Sequence, residues 1–256
     1  MHHGDGVQEA FYHTNRVCTL SFHQYDPENS FFPGTGGLEE IGEKEGRFCS
    51  VNVPLKKGCS DQKFFYLFKT IFDKTLEVYQ PEAIWMQCGA DSLRGDTIGA
   101  FNLSIKGHGR AVQYAMKKGI PIVFNGGGGY NVENVARCWA YESMVITDKF
   151  SEDMGIPKDS RFRHEFSDPD LLFTPENRHG IFSDFNSEDY TQKVLSKVWA
   201  SMGNINKSVP FLEQVTRKGS KQWVDKRVGE EEKVKNEVEE IKGDLDQKKK
   251  EEKKDC

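Results

Sequence analysis

Short runs of β-branched and apolar residues alternate with stretches of helical spacing, and this alternation constrains the chain more than any other feature. The runs are Val17–Ser21, Cys49–Val53, Ala83–Cys88 and Ile120–Phe124, most of them leading into a turn rich in Gly, Asp or Pro. Asp61–Tyr79 carries apolar residues at helical spacing and ends before Pro81; Lys106–Lys118 and Asn131–Thr147 read as two further helices. A strand–helix order of this kind implies an α/β fold, a parallel sheet with helices on both faces. Ligands in such sheets bind outside the carboxyl ends of the strands. That rule singles out Gly89-Ala90-Asp91-Ser92, the turn from Gly126 to Tyr130, and Phe22-His23. The crowded His2, His3 and Asp5 at the start of the chain are a fourth candidate.

Beyond about residue 150 the pattern weakens. We expect a main domain over 1–150 and, over 151–228, an irregular segment plus one helix (Asp189–Met202) that completes or flanks it. Residues 229–256 are a charged tail, disordered or a solvated helix, with 8 Lys against 11 Asp and Glu. The whole chain has a net charge of −5, so without the tail it is close to neutral. No basic patch for counterion-release binding of nucleic acid is visible, and no apolar run approaches the length of a bilayer span. The N-terminus lacks a signal-peptide core. Six cysteines without a C-x-x-C pair argue for reduced thiols in a cytosolic or nuclear protein.

Two features carry chemistry. His2 and Asp91 pair an imidazole with a carboxylate, a donor set that suits zinc when a third ligand joins. Tyr130 follows four glycines that let backbone approach a ligand and set a phenol beside it. By spacing alone, distant polar residues are more often unrelated, and a glycine run is more often the turn that opens a helix.

The order of motifs decides between these readings. His2-His3-Gly4-Asp5-Gly6-Val7, Phe32-Pro33-Gly34-Thr35-Gly36, Gln87-Cys88-Gly89-Ala90-Asp91-Ser92-Leu93, Gly126-Gly127-Gly128-Gly129-Tyr130 and Asn134-Val135-Ala136-Arg137-Cys138-Trp139 follow one another. This closely resembles the catalytic domain of the zinc-dependent histone deacetylases, most like class I, from His2 to about Thr147. The resemblance implies an arginase/deacetylase-like α/β fold and hydrolysis of the N-acetyl group on lysine. It makes His2 and Asp91 zinc ligands and Tyr130 the phenol that hydrogen-bonds the oxyanion. Phe32 becomes a wall of the acetyl-lysine tunnel, Gly128 and Gly129 its rim, and Ile98 an apolar lining residue. Asp5 orients one histidine of an acid–base pair. Carbonyls of Phe11, Thr14 and Val17 hold a monovalent cation, K+ or Na+, and Ser21 and Phe22 match a second such site. Zn2+ would acidify a bound water and polarise the amide, and a histidine would move the proton.

The chain also departs from the family. The family's metal loop reads Asp-x-His, and here Met1 occupies the x position. A zinc ligand, the adjacent histidine pair, a second tunnel aromatic and the first strands therefore have no counterpart, which leaves an incomplete sheet at the N-terminal side. The chain alone is expected to be inactive and poorly stable, with an unpaired sheet edge and uncovered apolar helix faces. His23 and His108 are expected to be surface or supporting histidines. Thr97 and Glu133 stand where class I members that bind inositol phosphate carry arginines, so that regulator is not supported.

Three functions follow. One is a deacetylase whose front is missing from this sequence, acting on acetylated histone tails or other acetyl-lysine proteins with corepressor subunits, in the nucleus and also the cytoplasm. Another is a non-catalytic paralogue serving as a binding subunit or decoy. The third is a deacetylase of polyamines or small molecules. Direct nucleic-acid or membrane partners are not expected.

Overall fold

A computed structural model describes residues 1–150, 154–173 and 182–205; the expected charged tail, 229–256, lies outside the described residues. The elements follow the order α1 (Asp5–Phe11), β1 (Thr19–Gln24), β2 (Ser50–Leu55), α2 (Asp61–Tyr79), β3 (Ile84–Gln87), α3 (Ile105–Met116), β4 (Ile122–Asn125), α4 (Val132–Ile146) and α5 (Glu188–Met202). The α/β reading holds, and both strand pairs are parallel. β1 pairs with β2 in the register Thr19 with Ser50, and β3 with β4 in the register Ile84 with Ile122. Among the described residues the strands are hydrogen-bonded as these two pairs.

Helix α2 spans the range that its apolar spacing predicts. Its inner face buries Leu67, Phe68, Ile71, Phe72, Val78 and Tyr79. It opens on Ser60 and Asp61, a carboxylate suited to the positive end of the helix dipole. It stops at Gln80, in the left-handed conformation with φ of 54°, whose amide bonds Leu76 O just ahead of Pro81. Helices α3, α4 and α5 are each capped by a side chain, from Ser104, Asn131 and Ser187, that accepts a first-turn amide.

One apolar layer ties the two strand pairs together. Phe68, Phe72, Ala111 and Ala115 of α2 and α3 pack against Leu20 and Phe22 of β1, Ile84 and Met86 of β3 and Ile122 of β4. Strand β2 is buried along its whole length, with α5 packed against it. The opposite face of β3–β4 stands open: Trp85 is 74% exposed and Val123 49%. The strands begin and end one to three residues from where their apolar runs predict. Helix α1 has no sequence signal, since seven residues hold too few apolar positions to show a period.

Candidate functional site

Two loops leave the carboxyl ends of β3 and β4 and meet. Cys88 N donates to Asn125 O, and Ala90 N donates to Gly128 O at 2.7 Å. The first loop tightens into a single turn, Ala90–Ser92, that turns Asp91 inward, where it is 3% exposed. Beneath both loops lies an apolar floor of Ala90, Leu93, Ile105, Val135 and Cys138, with Trp139 against it. Trp139 Nε1 donates to Cys88 O at 2.8 Å and fixes the exit of β3.

Asp91 is where the sequence-predicted residues converge. His2 Nδ1 lies 2.9 Å from Asp91 Oδ2, and the Met1 α-amino group 2.7 Å from Oδ1. Burial lifts a carboxyl's pKa, but the bonds from His2 and the Met1 amine outweigh it and hold Asp91 down to about 2. The carboxylate is therefore charged, and the His2 nitrogen facing it carries the proton. A Cβ on Gly128 would run into Asp91 Oδ2 closer than real Cβ atoms come, so glycine lets this turn lie against the carboxylate.

Aromatic rings stand on the other side of His2. Phe31 stacks on it at 5.0 Å with an interplanar angle of 2°, and Phe32 meets it edge-on at 6.1 Å. Phe32 is 72% exposed, as a wall open to a ligand would be. Asp96 ties the remaining rim together: Oδ1 accepts the amides of Ile98 and Gly99, and Oδ2 accepts that of Tyr130 at 2.7 Å. Ile98 and Tyr130, each about half exposed at 52% and 48%, are thereby held on neighbouring loops. Sequence reasoning missed Phe31 and Asp96; the acid two residues before Ile98 was a usable signal for the second.

Other predicted residues stand apart from Asp91. Asp5 Oδ1 accepts the Gly6 amide at 2.8 Å, and among the described residues no histidine pairs with it. The Phe11 carbonyl accepts the Thr14 amide and Thr14 Oγ1 that of Arg16, so this segment, which runs on to Val17, is a tight turn. Ser21 Oγ bonds His23 Nδ1 at 2.9 Å, and the Phe22 ring packs on Phe64 and Phe68.

His23 is not a surface residue: it is fully buried, with Nε2 at 2.9 Å from Gly36 O and the ring 4.7 Å from that of His3. Burial and the neighbouring His3 push it down to about 3, against the pull of the Gly36 carbonyl. His108 supports the structure from α3, through Ser92 and Glu142. Glu133, at the position compared with an arginine, pairs with Arg137 Nη2 at 2.8 Å and accepts from Ser167.

A catalytic zinc takes three protein donors and keeps one position open. Here His2 Nδ1, once a metal displaces its proton, and Asp91 supply two donors of the right kind. Among the described residues the one group of three or more potential ligands is His108, Cys138 and Glu142, which does not include them. The described residues thus fit part of a zinc site and do not complete it. Cys18, Cys49, Cys59, Cys88 and Cys138 are free thiols. Among the described residues no helix is long and apolar enough to cross a membrane.

Comparison with known proteins agrees with this geometry. The histone deacetylase domain family matches residues 1–146. Histone deacetylase 9 of Arabidopsis thaliana is 55% identical over 148 residues, which are 58% of this chain and 34% of that protein. Histone deacetylase 1 of Homo sapiens and that of Bos taurus are each 41% identical over 202 residues, 79% of this chain and 40% of theirs. The chain therefore spans between a third and two fifths of the length of these curated relatives. With the family's motifs placed around Asp91, and its domain matched over more than half the chain, this protein belongs to the histone deacetylase family.

Proposed function

We propose that this chain carries the acetyl-lysine face of a zinc-dependent deacetylase site and is catalytically silent when alone. The observation that supports it is the His2–Asp91 pair, flanked by Phe31 and Phe32 on one side and by the Gly128–Tyr130 turn on the other. The aliphatic stem of a lysine fits against the exposed Phe32 ring, and burying it there is favourable by about 0.8 kcal/mol per CH2. Tyr130 brings a phenol O–H that can donate to the acetyl oxygen. Gly128 and Gly129 leave the rim narrow enough for backbone to follow the chain of the substrate.

Silence follows from the donors. Two ligands hold a metal weakly, and no histidine among the described residues stands beside Asp5 to move a proton. In this reading the substrates are acetylated histone tails or other acetyl-lysine proteins, the zinc ion and a K+ or Na+ ion belong to the complete site, and corepressor subunits and the nucleus are its setting. The short chain then binds an acetylated lysine without hydrolysing it.

The test is titration of the purified chain with an acetyl-lysine peptide in the presence of Zn2+, together with a turnover assay. Binding that is lost with Phe32→Ala and weakened by Tyr130→Phe, without turnover, is expected. Release of acetate above that of Asp91→Asn would show that the chain is an active enzyme. Equal binding of acetylated and unacetylated peptides would remove the acetyl-lysine reading.

A further inference from the structure

Behind Asp91 runs a string of polar groups, buried at both ends and half-buried in the middle, that the substrate face does not use. Ser92 Oγ lies 2.6 Å from His108 Nε2, and His108 Nδ1 lies 3.2 Å from Glu142 Oε1. Ser92 is 6% exposed and Glu142 4%. The three residues come from three elements: the turn that carries Asp91, helix α3 and helix α4.

We propose that this string is a positioning device: Glu142 orients His108, His108 holds the Ser92 hydroxyl, and Ser92 fixes the turn that aims Asp91 at His2. This rests on the reading of His2 and Asp91 as metal-facing ligands. A carboxylate accepts, so Glu142 takes the Nδ1 proton of His108 and leaves Nε2 as an acceptor. The serine has one proton to donate. Its bond to His108 at 2.6 Å is much shorter than its approach to Gly89 O at 3.3 Å, so the imidazole takes it.

The rest of the turn shows why this bond matters. Ala90 is pinned by Gly128 O at 2.7 Å, and the Ser92 carbonyl accepts the Leu103 amide at a long 3.3 Å. These hold the turn to its neighbouring loops, whereas the serine side chain ties it to the α3–α4 helix pair. Asp91 sits between the two pins, its Oδ1 also bonded by the Met1 amine at 2.7 Å, and the serine fixes the backbone from which that carboxylate reaches His2.

Two other readings of the cluster are weaker. Cys138 joins His108 and Glu142 with donor atoms within 4.8 Å of one another. Both ring nitrogens of His108 are already engaged, so an ion would have to break one of those bonds. A serine–histidine–carboxylate string can also serve a nucleophile, but a serine this deeply buried meets no substrate.

The experiment uses the full chain and Ser92→Ala, which removes one hydroxyl from a small buried site. Ring nitrogen NMR on the metal-free protein should show His108 protonated at Nδ1 only, and the His2 Nδ1 proton protected by Asp91. In Ser92→Ala the His2 proton should exchange freely in a chain that still unfolds cooperatively. His108→Gln, whose amide can accept from Ser92 and donate to Glu142, should keep most of the His2 protection, and His108→Phe should lose it.

A His2 proton as protected in Ser92→Ala as in the parent overturns the string. So does a His108 ring protonated at Nε2 alone. Asp91→Asn separates the two ideas. If it leaves Zn2+ binding unchanged, the metal-facing reading of Asp91 falls, and the NMR result still decides the string.

Discussion

His2 Nδ1 meets Asp91 Oδ2 at 2.9 Å across almost ninety residues of chain, and the backbone of Gly128 closes the third side of that contact. The pair is held by a glycine that cannot carry a side chain. Gly128→Ala would force its methyl against the carboxylate and push Asp91 away from His2. We expect acetyl-lysine peptide affinity to fall about tenfold, about 1.4 kcal/mol. The same clash falls on a buried carboxylate, so unfolding free energy should drop as well. Parallel titration and chemical denaturation check both losses.

How much of this was legible in the sequence differs by element. Helix α2 was readable to the residue because its apolar face repeats for five turns and Pro81 ends it. The loops at Asp91 and Tyr130 were readable because parallel strands place their ligands at carboxyl ends. Phe31 was not: one of two adjacent phenylalanines stacks on His2, and only the loop's path decides which. His23 was expected at the surface or in support, and it is buried because Gly36 offers its carbonyl there, a contact that periodicity does not show. The Ser92–His108–Glu142 string joins three elements and has no local pattern.

His23 makes the fold sensitive to acid. Its folded pKa, about 3, lies below the ordinary histidine value of 6.5, so the unfolded chain binds the proton more readily. Its contribution is complete above about pH 6.5 and is lost progressively as pH falls toward 3, by on the order of 1 kcal/mol per pH unit. His3 faces it across the ring contact, so a charge on either ring disfavours one on the other. Denaturant midpoints between pH 7 and 5 should fall in the parent chain. In His23→Gln, less stable at pH 7, they should fall less steeply. Parallel slopes would remove His23 as the source.

Burial also sets thiol chemistry. Cys59 and Cys138 are fully buried and Cys88 nearly so; burial, with nearby carboxylates, pushes the thiols of Cys59 and Cys88 up to about 12 and that of Cys138 higher still. A thiol rather than a thiolate is a poor nucleophile. At pH 8 these three cysteines should resist an alkylating agent in the folded chain and react fully in denaturant. Mass spectrometry of the labelled peptides reads this directly. Rapid labelling of Cys88 in the native chain would show that the Asp91 loop opens.

Glu133 is best understood from Arg137, whose side chain is fully buried one turn along α4. The guanidinium donates to the carbonyls of Leu171 and Asp168 and lies over the Phe166 ring at 5.0 Å, so it clamps the segment after α4 onto that helix. Glu133 supplies the balancing charge and also accepts the Ser167 amide and hydroxyl. Burial would raise the Glu133 carboxyl, but the bonds from Arg137 and Ser167 win and hold it below the ordinary range. Glu133→Gln keeps the shape and deletes the charge, leaving a buried cation less well compensated. Breaking a buried pair costs about 3–5 kcal/mol; Glu133 is partly exposed at 24%, so a loss nearer 1–2 kcal/mol is expected. Glu133→Arg, which sets a second cation against the first, should cost more than the glutamine and release the 166–171 segment to proteolysis. Equal stability of all three chains would show that the carbonyls alone hold Arg137.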